Sequence, residues 1–152
     1  MEKTAGILFT DGHSILLLRK KSGDAKGRWG LPGGHAESFD KNVLDTAKRE
    51  AKEETGLKNI PGKQIDSHRE NFPQMTWTTF IYQIPKTFSV KISLEHDASK
   101  WVPISKIDSL NLHPNFKKHL PYYLGVIRKK IHKNFSEWLE IRRLIDQRGT
   151  KR

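Results

Sequence analysis

The chain has no cysteine among its 152 residues. That excludes disulfides, thiolate metal sites and a cysteine nucleophile, and it argues against a small secreted domain stapled by disulfides. Long apolar runs are missing as well. No stretch approaches the roughly 20 residues that cross a bilayer, and the run inside "MEKTAGILFTDG" is too short for a signal peptide. A cytoplasmic protein with no membrane association is expected. Acid is what the C-terminal quarter lacks. From Pro114 to Arg152 eleven Lys/Arg face three acids (Glu137, Glu140, Asp146), a net of +8, whereas residues 1–113 carry only +3 of the total of +11. Such an excess is either a solvated helix face or an attraction to polyanions such as nucleic acid or phosphorylated substrates.

What is present reads as one globular domain. Hydrophobic residues make up 35% and charged residues 30%, and the length suffices to bury a real core. "TAGILF" and "SILLLRK" have strand length and flank an Asp-Gly hairpin signal. "KSGDAKGRWGLPGGHAE" reads as a glycine-rich loop. Residues 40–55 read as a helix capped by Asp40 or Ser38 and ended by Gly56. "QIDSHRE", "TWTTFIYQI", "FSVKISL" and "KWVPI" are strand candidates, the second alternating Trp77, Thr79, Ile81 against Thr78, Phe80, Tyr82. "SKIDSL" suits a short helix. From about Phe116 the pattern is helical to the end, with Pro121 and Gly125 as interruptions. Its apolar positions Ile127, Ile131, Phe135, Trp138, Leu139, Ile141, Leu144 and Ile145 form a stripe that folds back on the domain or pairs with another copy as a homodimer. Strands around one central helix, with more helix at the C-terminus, predict a mixed α/β (α+β) sandwich.

The central helix carries an anomaly. With about 100° per residue and Val43 at zero, Ala47 falls near 40°, Ala51 near 80° and Leu44 near 100°. Glu54 falls near 20°, inside that apolar stripe, with Glu50 near 340° and Glu53 near 280°. A bare carboxylate is expensive to bury, and several together repel one another. Something cationic must compensate them: Arg49, four residues before Glu53, or a divalent metal that takes carboxylate oxygens.

The stretch "LPGGHAESFDKNVLDTAKREAKEETGL" decides between them. It resembles the signature of the Nudix hydrolases: G, five residues, E, seven residues, R-E, apolar, any, E-E, any, G, apolar. Gly34 matches the glycine, and Arg49, Glu50, Ala51, Glu53, Glu54, Gly56 and Leu57 match the second half. Two departures stand out. The family's glutamate falls on Asp40, and eight residues rather than seven separate it from Arg49. Asp40 supports the helix and its arginine with a shorter reach, or Glu37 substitutes.

The resemblance implies a Nudix-like α/β/α sandwich with a mixed sheet over residues 1–124, and a basic helical extension over 125–152 packed on the same domain. It implies Mg²⁺- or Mn²⁺-dependent hydrolysis of a nucleoside diphosphate derivative: a nucleotide sugar, ADP-ribose, a dinucleoside polyphosphate or an NTP. By the same resemblance Glu50, Glu54, Glu53 and the Gly33 carbonyl hold the metal, and Arg49 orients the carboxylates. Glu53 and Arg49 join Glu95, the base from beyond the box, in carrying the catalysis; Asp97 and Glu70 are lesser candidates for that acid. Arg28, Arg19 and Lys21 are candidates for the phosphates. Phe72, Trp77, Phe80 and Tyr82 either stack on the base or supply core, while Trp29 and Trp101 are assigned to packing. His96 and His68 read as surface residues. Two alternatives remain: the same chemistry on RNA 5′ ends, favoured by the basic tail, and a non-catalytic module that binds nucleotide or RNA.

Overall fold

The structure, a computed structural model, describes residues 1–132 together with Glu140 and Arg143. Most of the C-terminal stripe, including Phe135, Trp138, Leu139, Ile141, Leu144 and Ile145, lies outside the described residues. Among the described residues the elements run β1 (Glu2–Thr10), β2 (Ser14–Lys20), β3 (Trp29–Gly30), β4 (Gly33–His35), α1 (Val43–Thr55), β5 (Lys63–Asn71), β6 (Met75–Gln83), β7 (His96–Pro103), a 3₁₀ turn (Ile104–Ser109) and α2 (Pro114–Lys130). No helix among them is long and apolar enough to cross a membrane.

One mixed sheet holds the strands in the order β3-β2-β1-β6-β5, with β4 also on β1 and β7 on β2. β1 runs parallel to β6 from Glu2↔Met75 to Thr10↔Gln83; the β1–β2, β2–β7 and β5–β6 pairs are antiparallel. β1 and β2 meet only at Thr10↔Ile15. Beyond that point they splay: β1 takes β4 as its neighbour at Thr4–Gly6, and β2 takes β3 at Leu18 and Arg19. The glycine-rich segment expected to be a loop therefore contributes two short strands, hidden from sequence because they are two and three residues long. They fill the wedge and leave a cleft beside it.

Period-two alternation sends side chains to two layers. Ala5, Ile7 and Phe9 of β1 and Leu16 and Leu18 of β2 pack with Ala47 and Ala51 of α1. Leu8, Ile15, Leu17 and Ile81 pack on the opposite face with Phe116, Leu120, Leu124 and Ile127 of α2. Helices on both faces of a mixed sheet are the architecture expected, and the β6 alternation holds, with Phe80 and Tyr82 on the α1 side.

Three local expectations are corrected. Asn42, not Asp40 or Ser38, caps α1, its Oδ1 accepting from the Asp45 N–H at 2.9 Å; α1 ends at Gly56 with φ 79°. "FSVKISL" is not a strand. It crosses the end of α1, where the Lys91 N–H donates to the Thr55 carbonyl at 2.8 Å, and Phe88 wedges edge-on between Phe9 and Trp101. Finally, α2 runs unbroken through Pro121 and Gly125. A helix-interior proline removes one hydrogen bond at about 3 kcal/mol, but Leu120, Tyr123, Leu124 and Ile127 are buried around it, and that burial dominates.

Candidate metal and nucleotide site

β4 brings Gly33 and Gly34 against the C-terminal half of α1. The Gly33 N–H donates to Glu54 Oε1 at 2.7 Å. A Cβ on Gly34 would lie 2.5 Å from the Glu50 carboxyl carbon, and one on Gly33 would lie 2.6 Å from the Ala5 carbonyl oxygen and 2.8 Å from the Trp77 ring. Only glycine allows this approach.

Glu54 is 2% exposed, as its place in the apolar stripe predicts. Its Oε2 is buried without a hydrogen-bond partner. Burial, with Glu50 and Glu95 nearby, pushes its pKa up to about 9 despite the Gly33 bond. The protein's own cation is engaged elsewhere. Arg49 grips Asp40 through two bonds of 3.1 and 3.0 Å, donates to the His35 carbonyl at 3.0 Å, and reaches Glu50 at 3.2 Å and Glu53 at 3.3 Å. Asp40 also accepts from the Glu37 N–H and the Thr46 hydroxyl, both at 2.9 Å. Asp40 thus supports the arginine in spite of the extra residue, and Glu37 contributes only its backbone. The guanidinium holds the Asp40 carboxyl well below the usual carboxylate range. Glu50 moves the other way: burial raises its pKa and Arg49 opposes.

Opposite Glu54 stands His96, at the start of β7. It is buried, contrary to the surface position expected, with Nδ1 3.8 Å from Glu54 Oε2. Burial lowers its pKa. One donor atom each from Glu54, Glu95 and His96 fall within 4.8 Å of one another. Two carboxylates and a neutral imidazole, one oxygen orphaned, fit a divalent cation.

A cleft of about 800 Å³ opens from this cluster. Gly33, Glu50, Glu95 and His96 line it on one side, and Phe72, Trp77, Phe116 and Tyr123 toward the β5 edge of the sheet. Of the expected site residues, Arg28 also lines it, its Nη1 donating to the Leu112 carbonyl at 3.3 Å. Two do not. Glu53 turns outward on α1, 56% exposed, and pairs with Arg49 at 3.3 Å. Arg19 lies on the other side of β2, where it pairs with Asp97 at 2.7 Å and covers Trp29. Phe80 and Tyr82 are core on the α1 side. His96, Lys20 and Lys118 line the cleft and were missed. Counting by two from Leu16 and Leu18 reaches Lys20 rather than Arg19, but a strand apolar on both faces conceals that period.

Comparison with known proteins agrees with this geometry. The NUDIX domain model matches residues 2–123. Protein 111R of Invertebrate iridescent virus 3 is 31% identical over 115 residues, which are 73% of this chain, and the chain spans 64% of that protein. The CTP pyrophosphohydrolase of Escherichia coli is 27% identical over 101 residues, 66% of this chain and 74% of the relative. Among solved structures the Nudix hydrolase RenU of M. smegmatis superposes with a TM-score of 0.71 at 21% identity, covering 84% of this chain and 86% of that one. With a family model across most of its length and the box residues gathered around one cleft, the chain belongs to the Nudix hydrolase family.

Proposed function

We propose that this chain hydrolyses the diphosphate of a nucleoside diphosphate derivative with Mg²⁺ or Mn²⁺. The observation that carries the reading is Glu54: a buried carboxylate with one oxygen unpartnered, two carboxylates near it and, among the described residues, no lysine or arginine paired with it. Glu54, Glu50 and Glu95 would hold the cation, with His96 in reach. When bound, a divalent cation there would supply charge neutralisation for the diphosphate and activation of water.

The chain's own groups do the rest. Arg49 fixes the Glu50 carboxylate beside Gly34. Glu95, the exposed member of the cluster, takes the proton from the attacking water. Lys20 and Arg28 face the cleft and meet phosphate oxygens. Phe72 and Trp77 supply the apolar wall for the base. The E. coli relative acts on CTP, which favours a free nucleotide over the other members of the class.

Product release from a panel of NTPs, ADP-ribose, nucleotide sugars and dinucleoside polyphosphates, with Mg²⁺, Mn²⁺ or chelator, tests the reading. Phosphate-bearing products should appear only with the cation. Full turnover in chelator sinks the metal assignment; no product from any substrate leaves a binding module instead.

A further inference from the structure

The β5 side of the cleft carries a charge that the hydrolysis does not use. Glu70 of β5 pairs across the sheet with Trp77 of β6, so both side chains stand on one face, and both line the cleft with Phe72. The Trp77 ring is held in place. Its Nε1 donates to the Thr79 hydroxyl at 2.7 Å, which in turn bonds the Tyr123 hydroxyl at 3.0 Å. The Glu70 side chain is only 13% exposed, although an apolar wall is a costly place for a carboxylate. Its Oε2 lies 2.6 Å from His119 Nε2, without the alignment of a hydrogen bond. Burial lowers the His119 pKa and Glu70 opposes that shift. Lys118, 71% exposed, reaches Oε1 at only 3.5 Å. A fixed aromatic face with a carboxylate at its edge, its oxygens keeping lone pairs beyond those turned to His119 and Lys118, is suited to hydrogen-bond donors carried on a flat ring.

We propose that Glu70 is a specificity-determining residue that selects a guanine-type base. The inference rests on the reading of the cleft as a nucleotide site. A carboxylate only accepts, and its two oxygens match two adjacent N–H donors. On the pairing edge of the bases, guanine alone offers them, at N1–H and the 2-amino group. Adenine and cytosine set their amino group beside a ring-nitrogen acceptor, and uracil sets one N–H between two carbonyls. Each would turn a lone pair toward Glu70, and a buried polar group left without its match is how such a site rejects the wrong ligand.

Calorimetric titration of the intact protein with GMP, IMP, AMP and CMP tests this independently of turnover. GMP should bind about tenfold or more tighter than IMP, which lacks only the 2-amino group, and tighter again than AMP and CMP. Glu70→Gln replaces one acceptor with a donor and should remove most of the GMP-over-AMP difference. A residue that merely ties α2 to β5 would weaken all four alike. Equal binding of GMP and IMP by the unaltered protein, or tightest binding of CMP or AMP, overturns the inference without any variant. Selective GMP binding without hydrolysis of any nucleotide would overturn the proposed activity and leave Glu70 standing; hydrolysis with no guanine preference does the reverse.

Discussion

The two sides of the cleft are built on opposite plans. The metal side draws on one contiguous stretch, residues 33–54, plus Glu95 and His96, and it places buried carboxylates where burial raises their pKa. The aromatic side draws on β5, β6 and α2, and its rings are set by packing and by the Thr79–Tyr123 bond. One side gathers buried carboxylates around an unpartnered Glu54 oxygen; the other presents aromatic rings with Glu70 at their edge. Damage to the first should therefore fall on chemistry, and damage to the second on binding.

The sharpest test is Glu54→Gln, which keeps size and removes the charge. It should lower kcat on the order of a hundredfold or more, with Mg²⁺ affinity falling in parallel. A near-normal rate would erase the distinction between the two sides. Phe72→Ala comes next. Loss of a stacking ring should raise KM roughly tenfold and leave kcat close to that of the parent; a kcat effect as large as that of Glu54→Gln would show that the two sides are not separable.

Stability in chelator gives a third, smaller effect. The Glu54 pKa is raised from 4.5 to about 9 in the folded chain. Below pH 4.5 both states hold the proton and its contribution is fully present. Between 4.5 and about 9 the unfolded chain releases the proton while the folded chain keeps it, so stability falls as pH rises, by at most about 1.4 kcal/mol per pH unit. Urea midpoints should be lower at pH 8 than at pH 5.5, and Glu54→Gln should flatten the slope, as should saturating Mg²⁺. An unchanged slope in the variant contradicts the assignment. The smallest effect belongs to neither side. Charge reversal at Lys129, exposed at the end of α2, should leave KM for small nucleotides unmoved at any salt, as a solvated position would. A KM that rises only at low salt would mark α2 as steering substrate.

How much of this was legible follows from sequence distance. The box side could be read because helical angle alone puts Glu54 among Ala47 and Ala51, and the structure buries all three. Layer assignment on β6 was readable for the same reason. The outward position of Glu53 was likewise readable from its helical angle of about 280°, and Glu53 is exposed. His96 escaped because the carboxylate it faces, Glu54, is remote in sequence. Glu70 was read only as a spare acid, since nothing in "QIDSHRE" shows that Trp77 and His119 will flank it. The "FSVKISL" error has a similar origin: strand propensity was present, but the segment is spent covering the end of α1.

The Trp77 ring touches more than the base side. It also lies against Gly6 and Gly33, and the Gly33 N–H holds Glu54. One ring is thus a wall common to recognition and reaction, and that restricts how the fold can diversify. A lineage acquiring a new base preference by changing Trp77 would disturb the peptide that seats Glu54 and lose turnover before gaining selectivity. Among the described residues neither Glu70 nor Phe72 bonds to Glu50, Glu54 or Gly33, so they are the positions free to drift, and related chains with different preferences should differ there while keeping the tryptophan.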